Sequence, residues 1–100
     1  MNPDLALGGA AAVLFAAGAS FLVLRRELIA MIIGLELMIN AANLGIVRAA
    51  LGRSDPEGLA VALLVIAVAA AEVVVGLALI LAIRRHGKDP DSADLRSLFG

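Results

Sequence analysis

Two glutamates stand deep inside long apolar stretches of this sequence. Glu36 is the ninth residue of a run at 28–47, and Glu72 is the fourteenth residue, and only charged member, of a run at 59–83. Insertion scales put an ionisable side chain at the centre of a bilayer at about 2.5–3.5 kcal/mol, so a chain that keeps two has something that offsets the cost. A carboxyl can take up and release a proton, and two within reach can hand one on. At 100° per residue, Asn40 lies about 40° from Glu36 and Asn43 about 20° to its other side. Arg25 continues this polar stripe at one end, with Ile29 and Ile32 between. A carboxyl flanked by amides can hold ordered water, because Asn both donates and accepts hydrogen bonds. Around Glu72 the same-face residues are Val65, Val68, Ala69, Gly76 and Leu79. They offer it no polar partner, which leaves Glu36, a water or another chain. The competing reading makes the glutamates hydrogen-bonded packing groups, with Asn43 gluing two helices together.

The elements that position these residues follow from composition. Of 100 residues 62% are hydrophobic, 17% charged and 3% aromatic, which is too apolar for a water-soluble domain of this length. Apolar runs at 5–24, 28–47 and 59–83 are each long enough to cross roughly 30 Å of hydrocarbon as a helix. Asn2 and Asp4 stand where a signal peptide would carry positive charge, so the first run is expected to stay as a span. The alternating ten-residue segments of a membrane barrel are absent. An all-α membrane protein is therefore predicted, a single domain over 1–100 with three transmembrane helices. Arg25, Arg26 and Glu27 form a tight first loop, 48–58 a second, and 84–100 a polar tail that is either extended on a partner or disordered. Arg25, Arg26, Arg84, Arg85, Lys88 and Arg96 fall on one side, against Arg48 and Arg53 on the other. The positive-inside rule then puts the N-terminus outside and the C-terminus in the cytoplasm, in a multi-pass protein of the cell inner (plasma) membrane.

Counted from the cytoplasmic ends of their runs, Glu36 and Glu72 differ in depth by roughly 4 Å. With helix axes about 8–10 Å apart, the carboxyls can meet directly or through one or two waters. Gly8, Ala12, Ala16 and Ser20 form a ridge of small residues suited to close helix packing. The formal net charge of −1 gives no reason to expect a nucleic-acid partner. The chain has no Cys, and its single His86 lies outside the apolar runs, so neither iron–sulfur, cysteine-zinc nor membrane haem ligation is expected, and no metal site. The absence of Trp and Tyr hints at protein neighbours around the bundle in addition to the lipid bilayer.

The segments Ile33-Gly34-Leu35-Glu36-Leu37-Met38-Ile39-Asn40-Ala41-Ala42-Asn43-Leu44 and Ala69-Ala70-Ala71-Glu72-Val73-Val74-Val75-Gly76-Leu77-Ala78 resemble subunit K of proton-pumping NADH:quinone oxidoreductase, respiratory complex I. The likeness extends through Arg25-Arg26, the three-helix layout, the length and an Asp94-Leu95…Leu98 pattern in the tail, which departs from the family in ending Phe99-Gly100. The resemblance implies that Glu36 and Glu72 are the family's proton-transfer glutamates and Arg25 and Arg26 its functional loop arginines, with Asn40 and Asn43 in support. It implies a non-redox membrane subunit of a translocase, in a hetero-oligomer beside subunits of the A, J and N types. No cofactor is expected in this chain, with flavin, iron–sulfur clusters and quinone carried by partner subunits. Rotor-ring subunits are two-helix hairpins with one such carboxyl, and small multidrug exporters need four helices and an aromatic cradle. The nearer alternatives are the C-type component of multisubunit sodium/proton antiporters, which lacks the paired glutamates, and a purely structural assembly subunit.

Overall fold

The computed structural model describes residues 2–85 and Gly87. These form three helices, α1 Pro3–Leu24, α2 Leu28–Gly52 and α3 Pro56–Arg84, and no strand among the described residues. Each is long and apolar enough to cross a membrane. The expected tail falls outside the described residues beyond Gly87, as does His86.

Cap chemistry sets the helix starts. The Asn2 side chain accepts a hydrogen bond from the Asp4 amide at 2.9 Å, with Pro3 in the first turn. Asp55 accepts from the amides of Glu57 and Gly58 at 3.0 and 3.2 Å, with Pro56 behind it. This is why α3 begins ahead of its apolar run. At the other side of the turn α2 runs five residues past the apolar run, because Arg48, Ala49, Ala50 and Leu51 are all strong helix formers. The second connection thus narrows from the expected 48–58 to Arg53, Ser54 and Asp55, with Ser54 in the left-handed region at φ 49°. The first connection is as tight as expected. Arg25 and Glu27 are both extended, which breaks the helix at once. Beyond α3, Gly87 adopts φ 74°, the left-handed conformation that favours glycine at a helix end.

α2 is the central helix, and α1 and α3 pack on opposite sides of it. The α1 contact runs through Leu7, Ala11, Leu14, Gly18 and Leu22, one stripe at helical spacing. Its closest point is backbone on backbone: a Cβ placed on Gly34 would sit 2.6 Å from the Gly18 carbonyl oxygen, and one on Gly18 would collide with the Gly34 carbonyl. The ridge singled out in the sequence lies around the helix from this stripe, and Ala12, Ala16 and Ser20 are exposed within this chain. Only Gly8 has an internal role, since a Cβ there would come within 2.9 Å of the Arg48 guanidinium. That guanidinium holds Asp4, with Nη2 donating to Oδ2 at 2.8 Å, and ties the start of α1 to the end of α2. On α3 the buried and half-buried positions are Gly58, Ala62, Val65, Ala69, Val73, Gly76, Ile80 and Ile83, a stripe with coiled-coil-like spacing turned toward α2. Elsewhere Val13, Phe15, Leu63, Leu64, Val74 and Val75 point outward, as helices solvated by lipid or by neighbouring subunits require.

Candidate functional site

Close approaches fix the register of α2 against α3. Ile32 lies against Gly76, its Cδ1 2.7 Å from where a glycine Cβ would stand, and Ala50 lies equally close to Gly58. Leu28 clusters with Ile80 and Ile83. The helices are antiparallel, so each turn along α2 is matched by one turn back along α3. One turn on from Ile32 and Gly76, Glu36 stands opposite Glu72. The pair is level, half-buried on α2 and exposed on α3.

Two clefts between the helices flank this pair. One, of about 220 Å³, is walled by Leu28, Ile32, Leu35, Gly76, Leu79 and other apolar side chains, and lies on the side of the first connection. It ends at the packed Leu28, Ile80 and Ile83 cluster. The other, of about 290 Å³, is formed by Ile39 with Leu64, Val65, Val68 and Ala69, and Glu72 closes one end of it. The glutamates thus separate a wholly apolar cleft from one that carries a titratable group.

The remaining residues of the expected site divide. Asn43 is buried, 8% exposed, and faces α3, while Asn40, about 60° around the helix, is exposed. Arg25 and Arg26 are exposed at the first connection, about two turns of helix from Glu36. Arg25 does not extend the stripe of α2, because helical phase is lost through the extended Arg25 and Glu27. It borders a groove of about 250 Å³ on α1 with Ala17, Ser20, Phe21 and Leu24. Sequence reasoning missed two structural pairs, Gly18 with Gly34 and Asp4 with Arg48. The second had a signal: opposite charges stand at the ends of two adjacent spans that must lie on one side of the membrane.

Three helices long and apolar enough to cross a membrane, with Glu36 and Glu72 on facing turns of α2 and α3, define a small polytopic membrane protein. The chain belongs to the family described as NADH-ubiquinone/plastoquinone oxidoreductase chain 4L, whose family model matches residues 7–100. It is 48% identical over 91 residues to NADH-quinone oxidoreductase subunit K of Thermus thermophilus, covering 91% of this chain and 95% of that one. It is 43% identical over 89 residues to subunit K of Roseiflexus castenholzii, covering 89% of each chain. Family and helices together make it a multi-pass protein of the inner membrane.

Proposed function

We propose that this chain is a membrane-arm subunit of a proton-pumping NADH:quinone oxidoreductase and that Glu36 and Glu72 carry protons within it. The single observation that carries the site assignment is the register that brings Glu36 opposite Glu72. Family membership supports the setting. In this reading the chain transfers no electrons. Quinone reduction in partner subunits changes the local field and hydration, and a proton moves from one carboxyl to the other directly or through water. The uptake of a proton at one carboxyl and its loss from the other leave the pair's charge unchanged, so the cost of charge in hydrocarbon is not incurred twice. Subunits of the A, J and N types are its neighbours, and flavin, iron–sulfur clusters and quinone reside outside it. Arg25 and Arg26 hold the first connection at the headgroup level.

The test is the double variant Glu36→Gln/Glu72→Gln, which keeps size and hydrogen bonding but removes titration. Proton uptake into sealed vesicles, normalised to assembled complex, is expected to disappear, and a wild-type proton-to-electron ratio contradicts the proposal. Orientation is part of the same reading: N-terminus outside, Arg25-Arg26 inside, Arg53–Asp55 outside, tail inside. Because the chain has no native Cys, single cysteines at Ser54 and Ser92 report it cleanly. An impermeant thiol reagent applied to intact cells is expected to label Ser54→Cys and spare Ser92→Cys, and the opposite pattern reverses the orientation.

A further inference from the structure

The groove of about 250 Å³ on α1 is lined wholly by that helix and the residue that follows it: Ala17, Ser20, Phe21, Leu24 and Arg25. Ala17, Phe21 and Leu24 recur at helical spacing, roughly a quarter turn around α1 from the Gly18 contact with α2. The floor is apolar. Its one hydroxyl, on Ser20, already donates to the Ala16 carbonyl oxygen at 2.8 Å. Phe21 is backed by α2, its Cβ 2.9 Å from where a Cβ on Gly34 would stand. The groove is therefore a preformed apolar slot, about 12 Å long from Ala17 to Arg25 at 1.5 Å per residue.

A guanidinium-bearing residue closes its end. Arg25 is the first residue beyond α1, at the level where hydrocarbon gives way to headgroups, and Arg26 follows at once. Both are exposed. The one ion pair among the described residues, Arg48 with Asp4, lies at the opposite end of α1, so neither arginine has an internal counter-charge. Against the single Glu27 the two leave the connection net positive. Orientation in the membrane needs only positive charge at this end and does not account for an apolar slot beneath it. A neighbouring apolar helix would fill the slot but bring the arginines no anion. A phospholipid meets both features, with an acyl chain for the slot and a phosphate for a guanidinium, which binds phosphate through paired N–H donors. The net positive connection favours an anionic over a zwitterionic headgroup, as in other basic pockets at the ends of membrane helices.

We infer that the α1 groove binds an anionic phospholipid, with one acyl chain along Ala17, Phe21 and Leu24 and the phosphate held by Arg25, while Arg26 adds its charge beside it. This is independent of the glutamate reading. The test uses the assembled complex in phosphatidylcholine nanodiscs that contain a photoactivatable lipid, either phosphatidylglycerol or phosphatidylcholine with a diazirine in its acyl chain. Mass spectrometry of this chain reads the yield of adduct over 17–25. Phosphatidylglycerol is expected to label the segment at least about threefold more than phosphatidylcholine. Arg25→Gln/Arg26→Gln is expected to remove that preference, and Arg25→Lys, which keeps the charge without the paired donors, to fall between. Ser20→Leu leaves both arginines in place but fills the slot, and is expected to lower the phosphatidylglycerol yield severalfold. It decides the matter alone should the double variant fail to assemble. Inorganic phosphate at constant ionic strength is expected not to compete, because it brings no acyl chain. Equal labelling by the two lipids overturns the inference, as does an unchanged yield in Ser20→Leu. Labelling by neither lipid overturns it in favour of a neighbouring subunit over the groove, and loss of the preference under free phosphate in favour of a plain anion site.

Discussion

Glu36→Gln is expected to leave the complex assembled but to lose most of its proton uptake, by at least about tenfold, and to slow quinone reduction with it. A positioned acid–base group contributes roughly 10²–10⁴-fold to a proton-transfer step, and Gln keeps the size of Glu and the capacity to hydrogen-bond but can neither ionise nor carry an acid proton. If the glutamates served only to hold α2 against α3, the amide would do so as well and both activities would stay near wild type. Glu36→Asp keeps the acid but withdraws it by one methylene, so intermediate activity limited by reach is expected. Moving the carboxyl one turn along the stripe, with Glu36→Gln and Ile32→Glu together, is expected to restore only part. Ile32 is pressed against Gly76, so a carboxyl there enters a packed contact and not the cleft beside Glu72.

The second large effect concerns assembly. Gly34→Val is expected to cut the amount of assembled complex in the membrane severalfold and to lower the thermal midpoint of what remains. A Cβ at Gly34 meets the Gly18 carbonyl oxygen at 2.6 Å, the Phe21 Cβ at 2.9 Å and the Leu22 amide nitrogen at 3.0 Å, and two of these three atoms are backbone. They cannot rotate away as a side-chain end would, so α1 must move as a whole. Overpacking of this kind costs about 1–3 kcal/mol, which is roughly a 5–150-fold change in a two-state population. Small residues matter more at a membrane helix contact than in a soluble core, because close packing there supplies much of the adhesion. Gly45→Ala is the matched control: nothing lies within 4 Å of a Cβ at that position, and wild-type assembly is expected. Equal losses in the two variants would show that α2 tolerates no added methyl anywhere, and that the Gly18 contact is not special.

The spans were legible because apolarity over 20 residues or more has one structural meaning in a chain this short. The level placement of Glu36 and Glu72 was legible too, since it depends only on the rise per residue and on two connections tight enough to force antiparallel neighbours. The ends of α2 and α3 were less so: apolarity marks where lipid begins, whereas helices stop where capping stops them, at Asp55-Pro56 and after Leu51-Gly52. The small-residue ridge shows a different limit. An Ala-rich helix such as α1 has small residues at four-residue spacing on more than one face, and only the position of Gly34 on the neighbouring helix selects Gly18 over Ala16. Asn40 and Asn43 divide for a similar reason. They are about 60° apart on one helix, and which of them is buried depends on where α3 lies, information that the α2 segment does not contain. Arg25 could not be phased from α2 because the chain between them is not helical.

The central claim is that Glu36 and Glu72 change protonation as the complex turns over. Infrared difference spectroscopy of the assembled complex, between oxidised and reduced states, reads this directly through the C=O stretch of protonated carboxyls. The wild-type complex is expected to show carboxyl difference bands that shift in D2O, with components absent from Glu36→Gln and from Glu72→Gln. Difference bands identical in the wild type and both variants would mean that neither glutamate gains or loses a proton, and would contradict the account.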